Sequence, residues 1–469
     1  MQTTSFNKIN KEIISELESI LDADILFFDD EVLNEYNHDE TENLKFNPEL
    51  VAKPKTVAQV SALMKFCDEK LIPVTVRGAG TGLSGGALPI CGGLILSTER
   101  LNKILDIDLR NLQVTVEPGV INQVLQDEVQ KHGLYYPPDP ASKGSCFLGG
   151  NISHASGGPH AVKYGTTRDY VLNLEIVLPN GDIFWTGANT LKYSTGYNLT
   201  HLIIGSEGTL GVVTKIVLKL IPNPQHNVLM LIPFFDAEKA CEAVSAVFRA
   251  GIIPSAMEFM ERDAIDWTLK FVDGISMEIK PEIQAHLLVE LDGNNLDVLL
   301  QEAEKLHEIF SEFNCDEILF ADSEAQKNQL WKMRRSVAEA VKSNSVYKEE
   351  DTVVQRAELP KLLKGIKEIG SKYGFKSVCY GHAGDGNLHV NIIKGDLSDE
   401  FWQTEIHKGI EEIFALCKLL GGTISGEHGI GLVQKRYMRI VQSPIQLELQ
   451  RGIKKVFDPN NILNPGKIF

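Results

Sequence analysis

Two glycine-rich stretches constrain this chain more than any other feature. The first is Arg77-Gly78-Ala79-Gly80-Thr81-Gly82-Leu83-Ser84-Gly85-Gly86; the second runs from Lys143-Gly144 through Gly149-Gly150-Asn151 to Gly157-Gly158. Glycine at this density adds to the entropy lost on folding, so it marks backbone that must take positive φ or approach a ligand closely. Successive N–H groups in such loops form concavities that hold anions such as a pyrophosphate. Two of them in one chain imply one long dinucleotide gripped by backbone from two sides.

Gly80-Thr81-Gly82-Leu83-Ser84-Gly85 also fits the GxGxxG pattern of a nicotinamide-dinucleotide site. That pattern has meaning only when a strand precedes it and a helix opens directly after it. Ile72 to Val76 supplies the strand. The helix is missing, because Ala87 to Gly93 contains a proline and a glycine pair and Leu94 to Thr98 reads as another strand. NAD binding of that type is therefore not expected.

The chain has 469 residues, 43% of them hydrophobic, enough for two or three cored domains. A formal net charge of −17 argues against nucleic acid or an anionic membrane as partner. Met1 to Ser5 is polar and leads into an amphipathic helix pattern from Ile9 to Leu21, unlike a secretory signal. The longest apolar run, Val228 to Phe235, is too short to span a bilayer. Seven scattered cysteines read as reduced thiols in a cytoplasmic protein. Without a CxxC, neither an iron–sulfur cluster nor a zinc knuckle is expected.

The element pattern is α+β. Thr56 can cap a helix to about Lys70, and Asn180-Gly181 joins two apolar runs as a hairpin. Pro222 and Pro224 mark a domain boundary. Beyond it, strand–helix–strand units at Val228 to Phe259 and Leu287 to Phe320 predict a ferredoxin-like α+β sheet. In Leu388-His389-Val390-Asn391, a strand pattern, His389 and Asn391 share one face. Asp385-Gly386-Asn387 is turn chemistry that can bring His382 toward His389. Two imidazoles with Glu427, from a separate glycine-rich loop, suit a divalent Zn or Mn ion; satisfied loop histidines are the alternative.

These stretches, with Pro137-Pro138-Asp139-Pro140, Ile204 to Gly211, Gly381 to Asn391, Ser425 to Gly429 and Ile462 to Gly466, carry a family resemblance from about Phe46 to the C-terminus. The chain resembles FAD-linked oxidases of the vanillyl-alcohol oxidase type, with a PCMH-type FAD domain. In particular it resembles the branch of D-lactate dehydrogenases and glycolate oxidases, which also contains D-2-hydroxyglutarate dehydrogenases. The resemblance implies an N-terminal helical segment at 1–45 and a two-part FAD-binding domain at 46–225, with a substrate-capping domain at 226–420. A C-terminal segment, 421–469, then returns to the FAD domain.

The resemblance also assigns residues. Arg77, Gly78, Ala79, Gly80, Thr81, Gly82, Leu83 and Ser84 wrap the pyrophosphate. Asp139, Ser142, Gly149, Asn151 and Gly157 follow the ribityl chain and isoalloxazine. Glu207 and Gly208 lie by the adenosine half, and Asn464 by the flavin. Some of the wider superfamily tether FAD through a first-loop histidine; that loop has none here, so non-covalent FAD is expected. His382, His389 and Glu427 hold the metal. His428 is the base that takes the hydroxyl proton as the C2 hydride leaves for flavin N5, and a second role for it, orienting Glu427, stays open.

Arg334 holds substrate carboxylate through its guanidinium fork, with Asn391, His428 and Lys348 as further substrate contacts. Ala338 stands where the hydroxyglutarate enzymes have a threonine, which favours a small D-2-hydroxy acid, D-lactate or glycolate, while Lys348 keeps the dicarboxylate reading open. Reduced flavin would pass electrons to an external acceptor: a quinone, a cytochrome, an electron-transfer flavoprotein or an iron–sulfur subunit. A homodimer, and attachment at a membrane through a partner, are compatible with the sequence. The competing readings are D-2-hydroxyglutarate dehydrogenase, an alkyl transferase resembling alkyldihydroxyacetonephosphate synthase, a NAD-dependent enzyme, and a non-catalytic FAD-binding subunit of a larger complex.

Overall fold

Thr56 starts the helix Val57–Glu69 by accepting the Gln59 N–H, and Val60, Leu63, Met64 and Cys67 place its apolar stripe in a core. The computed structural model describes residues 5–274 and 277–469; Met1–Thr4, the polar start noted above, lie outside them. The described chain divides into two units. The first takes residues up to Gly157, Thr166–Asn223 and Glu427–Phe469; the second takes Gly158–Gly165 and Pro224–Gly426.

In the first unit the helix Lys11–Ile20 packs Ile13 and Leu17 into the same core as Val57–Glu69. A four-stranded sheet runs Leu26–Phe27, Leu50–Ala52, Leu94–Ser97, Val74–Arg77, its last three strands parallel. Leu463 bridges in parallel to Val74, so the C-terminal segment is stitched to the strand that delivers the first glycine loop. No helix opens between Val74–Arg77 and Leu94–Ser97 among the described residues, so the GxGxxG match lacks its helix here too. The unit also holds a five-stranded antiparallel sheet, with Val171–Val177 and Ile183–Trp185 paired across Asn180-Gly181. The second glycine-rich stretch is not wholly loop: Leu148–His154 is a helix. Gly149 donates to the Pro118 carbonyl at 2.8 Å, and a Cβ there would come within 2.7 Å of the Pro118 side chain. Close packing, rather than helix propensity, fixes that turn.

In the second unit seven strands form one antiparallel sheet. His226–Phe234, Ala256–Glu261, Ala285–Gly293 and Leu319–Phe320, taken as 1 to 4 in chain order, lie as 4-1-3-2, with helices Ala237–Arg249 and Leu296–Ser311 after the first and third. That is the ferredoxin-like half. Lys376–Gly381, Asn387–Ile393 and Tyr347–Val353 extend it beyond Ala256–Glu261. Residues 158–165, expected from the sequence in the FAD domain, belong to this unit. His160 Nε2 lies 3.2 Å from Glu290, and Lys163 and Tyr164 both donate to Asp292. No helix among the described residues is long and apolar enough to cross a membrane.

Candidate active site

The first unit contains a cleft lined by 78–83, Ser142, Gly149, Asn151, Glu207, Gly208, Asn464 and the pair Glu427 and His428. Both glycine loops therefore face one space, as a dinucleotide held from two sides requires. Gly80 at φ +75° shows why the loop needs glycine: a Cβ would meet the Arg77 guanidinium at 2.2 Å. That guanidinium donates to the His38 carbonyl at 2.7 Å and lies over the Tyr36 ring, so Arg77 shapes the loop from behind. Ser84, Asp139 and Gly157 are buried but do not line the cleft.

Among the described residues, the buried Nδ1 of His154, which lines the cleft, has no hydrogen-bond partner. Orphaned polar atoms of this kind, beside glycine backbone, fit a bound polar cofactor such as FAD. His154 was not singled out from the sequence. Its place between the glycine pairs of the second stretch was the available signal.

The Glu207 carboxylate lines the cleft and also has partners in the chain. It accepts the N–H groups of Ile430 and Gly431, each at 2.7 Å, so each oxygen holds one amide of the loop after His428. Asn464 Nδ2 donates to the Glu207 carbonyl at 2.7 Å. The Ser84 carbonyl accepts the Leu432 N–H at 2.7 Å. The loop after His428 is thus fastened to both cofactor-side segments. Nearby, the Lys467 ammonium donates to the Gly86 carbonyl at 2.7 Å, and burial pulls it down to about 7.

The second unit holds the other predicted residues. Strand register pairs Asp351 with His389 and Glu349 with Asn391, so these four side chains share one face with Tyr380. The turn at Gly386 brings the rings of His382 and His389 to 5.5 Å, nearly perpendicular. Glu258, fully buried on the neighbouring strand, is hydrogen-bonded to His382 Nδ1 at 2.8 Å and forms an ion pair with Arg334 Nη2 at 2.6 Å.

A carboxylate on Nδ1 fixes the His382 ring, the arrangement that orients metal-bound imidazoles. His389 Nδ1 lies 3.6 Å from Glu349. This donor set is chemically suited to a divalent ion such as Zn or Mn. Glu427 follows directly on Gly426, whose N–H is held by Asp351 at 2.7 Å.

Arg334 is 6% exposed, stands over the Tyr380 ring, and its Nε finds no acceptor among the described residues. Asn391 is fully buried beside the Tyr380 hydroxyl, and among the described residues neither amide atom makes a hydrogen bond of normal geometry. Burial and Glu349 push the Tyr380 hydroxyl well above its ordinary range, keeping it a donor. Lys348 departs from the expectation. It pairs with Ile392, which puts it on the opposite face of the strand, with its ammonium 5.4 Å from the Trp402 ring. Glu258 and Tyr380 were missed because nothing local in the sequence marks them.

Two glycine loops wall one cleft, and comparisons with known proteins assign the family. Residues 48–187 match the family model for an FAD binding domain, and 223–468 match that of the FAD linked oxidases, C-terminal domain. The chain is 38% identical to a D-lactate dehydrogenase of Anaerostipes hadrus, with 100% of this chain and 99% of the relative covered. It is 37% identical to glycolate oxidase subunit GlcD of Bacillus subtilis, over 92% of each. In fold it is similar to p-cresol methylhydroxylase, with a TM-score of 0.78 at 19% identity, covering 97% of this chain and 96% of that one. The chain belongs to the FAD-linked oxidases, and it is an oxidoreductase with an FAD-binding domain of the PCMH type.

Proposed function

We propose that this protein is an FAD-dependent dehydrogenase that oxidises a small D-2-hydroxy acid, D-lactate or glycolate, to the 2-oxo acid. The observation that carries it is the buried Arg334, whose Nε has no acceptor among the described residues, in the same unit as the buried Asn391 amide and the adjacent rings of His382 and His389. A buried arginine with unspent donors is what a small carboxylate needs, and the relatives' names point to such substrates. Arg334 holds the carboxylate, and Asn391 donates to an oxygen. His428, in the FAD-side cleft, takes the hydroxyl proton, a role suited to imidazole near neutral pH.

FAD, bound without a covalent link, supplies the hydride acceptor. A divalent ion on His382, His389 and Glu427 would supply Lewis acidity toward the substrate hydroxyl. Lys348 on the far face and Ala338 in place of a threonine support a small substrate over a dicarboxylate. Electrons then leave to an external acceptor, such as a quinone, a cytochrome, an electron-transfer flavoprotein or an iron–sulfur subunit, and NAD does not serve.

Dye-linked turnover against D- and L-lactate, glycolate and D-2-hydroxyglutarate tests the reading. Activity on D-lactate or glycolate is expected. Preference for D-2-hydroxyglutarate would move the assignment to that enzyme, and none on any acid would defeat it.

A further inference from the structure

We propose that Glu207 is a positioning residue for the loop that carries His428, rather than a ligand of the cofactor; this rests on the reading of His428 as the base. The carboxylate is 5% exposed and accepts two consecutive backbone N–H groups, Ile430 and Gly431, at 2.7 Å each. An ionised carboxylate on two amides makes the strong, charge-assisted kind of hydrogen bond. The next amide, Leu432, donates to the Ser84 carbonyl of the first glycine loop at 2.7 Å, and the Gly431 carbonyl accepts from Ile468 at 2.9 Å. These backbone links, which fix the two to four residues after His428, therefore run to segments beside the cofactor cleft.

The backbone at Glu207 shows that this contact is imposed. Its φ is +52°, a left-handed conformation that a glutamate seldom adopts, and strain of that sort persists where surrounding structure enforces it. The loop is equally tailored from its own side. Gly429 has φ +81°, and a Cβ there would lie 2.6 Å from His154 Nδ1 and 2.9 Å from Glu207 Oε1. Gly431 has φ +49°, and its Cβ would lie 2.1 Å from the Ser84 carbonyl. Two glycines and one carboxylate thus set where the backbone leaves His428. A catalytic group displaced by about 1 Å can lose roughly 10²-fold in rate.

The test is Glu207→Gln in the full-length, FAD-loaded protein. The amide has one good acceptor where the carboxylate has two, so one of the two N–H groups loses its partner. Amide exchange of the 427–433 segment, read by mass spectrometry, should accelerate roughly 10-fold or more. FAD affinity should stay within about 3-fold of wild type. Turnover at saturating FAD should fall by roughly 10²-fold, with KM for the hydroxy acid changed far less.

Gly429→Ala crowds the same loop from the other side and should show the same kinetic signature, which keeps the proposal testable if the first variant folds poorly. Full recovery of activity at saturating FAD with exchange unchanged would make Glu207 a cofactor ligand and overturn the proposal. Faster exchange with unchanged turnover would reduce it to a structural tie, which also overturns the proposal. If the wild type oxidises no hydroxy acid, the functional reading fails and the positioning role falls with it, while exchange alone still decides whether the clamp exists.

Discussion

Replacing Glu258 by alanine removes a carboxylate shared by Arg334 and His382. Glu258 is fully buried and Arg334 is 6% exposed, with 2.6 Å between the guanidinium and the carboxylate. Removing one partner of a buried pair leaves an uncompensated charge, a loss of about 3–5 kcal/mol. In a folding unit of roughly 200 residues, each kcal/mol moves the midpoint by about 2–4 °C, so the transition of the second unit should fall by roughly 6–20 °C. Differential scanning calorimetry of the FAD-loaded protein reads that midpoint. Glu405→Ala removes an exposed pair with Lys408 and should leave the midpoint unmoved. A shift below about 2 °C for Glu258→Ala would show that Arg334 does not depend on this carboxylate, and the account of the basin around it would be wrong.

Lys467 titrates near 7 when folded against 10.5 for the free group, because burial disfavours its charged form. The unfolded chain therefore binds more protons between those values. Apo-protein stability should rise with pH above about 7, by up to roughly 1.4 kcal/mol per pH unit, relative to Lys467→Met, and urea titrations at pH 7, 8 and 9 check it. Acid precipitation should release all flavin into the supernatant; fluorescence retained on the polypeptide would contradict non-covalent binding. His382→Ala or His389→Ala should lose a divalent ion and most turnover while keeping FAD, since both lie in the second unit. Unchanged metal content with preserved activity would return them to a structural role.

Much of the fold was legible where local chemistry dominates. Thr56 caps its helix, Asn180-Gly181 turns its hairpin, and the strand through His389 and Asn391 puts both side chains on one face, as the alternation required. What escaped depends on distant pairing. Glu207 finds its partners in the loop at Ile430 and Gly431, and Glu258 reaches His382 and Arg334 only through sheet order and helix packing. Lys348 lay one register position from the site, and a single residue in a strand reverses the face. The helix Leu148–His154 was hidden because two glycines in its first turn argue against helix, and packing on Pro118 overrides them.

The central claim is that this chain takes a hydride from a small D-2-hydroxy acid. Anaerobic mixing of the FAD-loaded protein with D-lactate, L-lactate and glycolate, one at a time, tests it without any assumption about the acceptor. Loss of the oxidised flavin absorbance with D-lactate or glycolate, none with L-lactate, and much slower loss in Arg334→Met is the predicted result. A flavin left oxidised by every 2-hydroxy acid, or reduced equally well in Arg334→Met, would contradict the account.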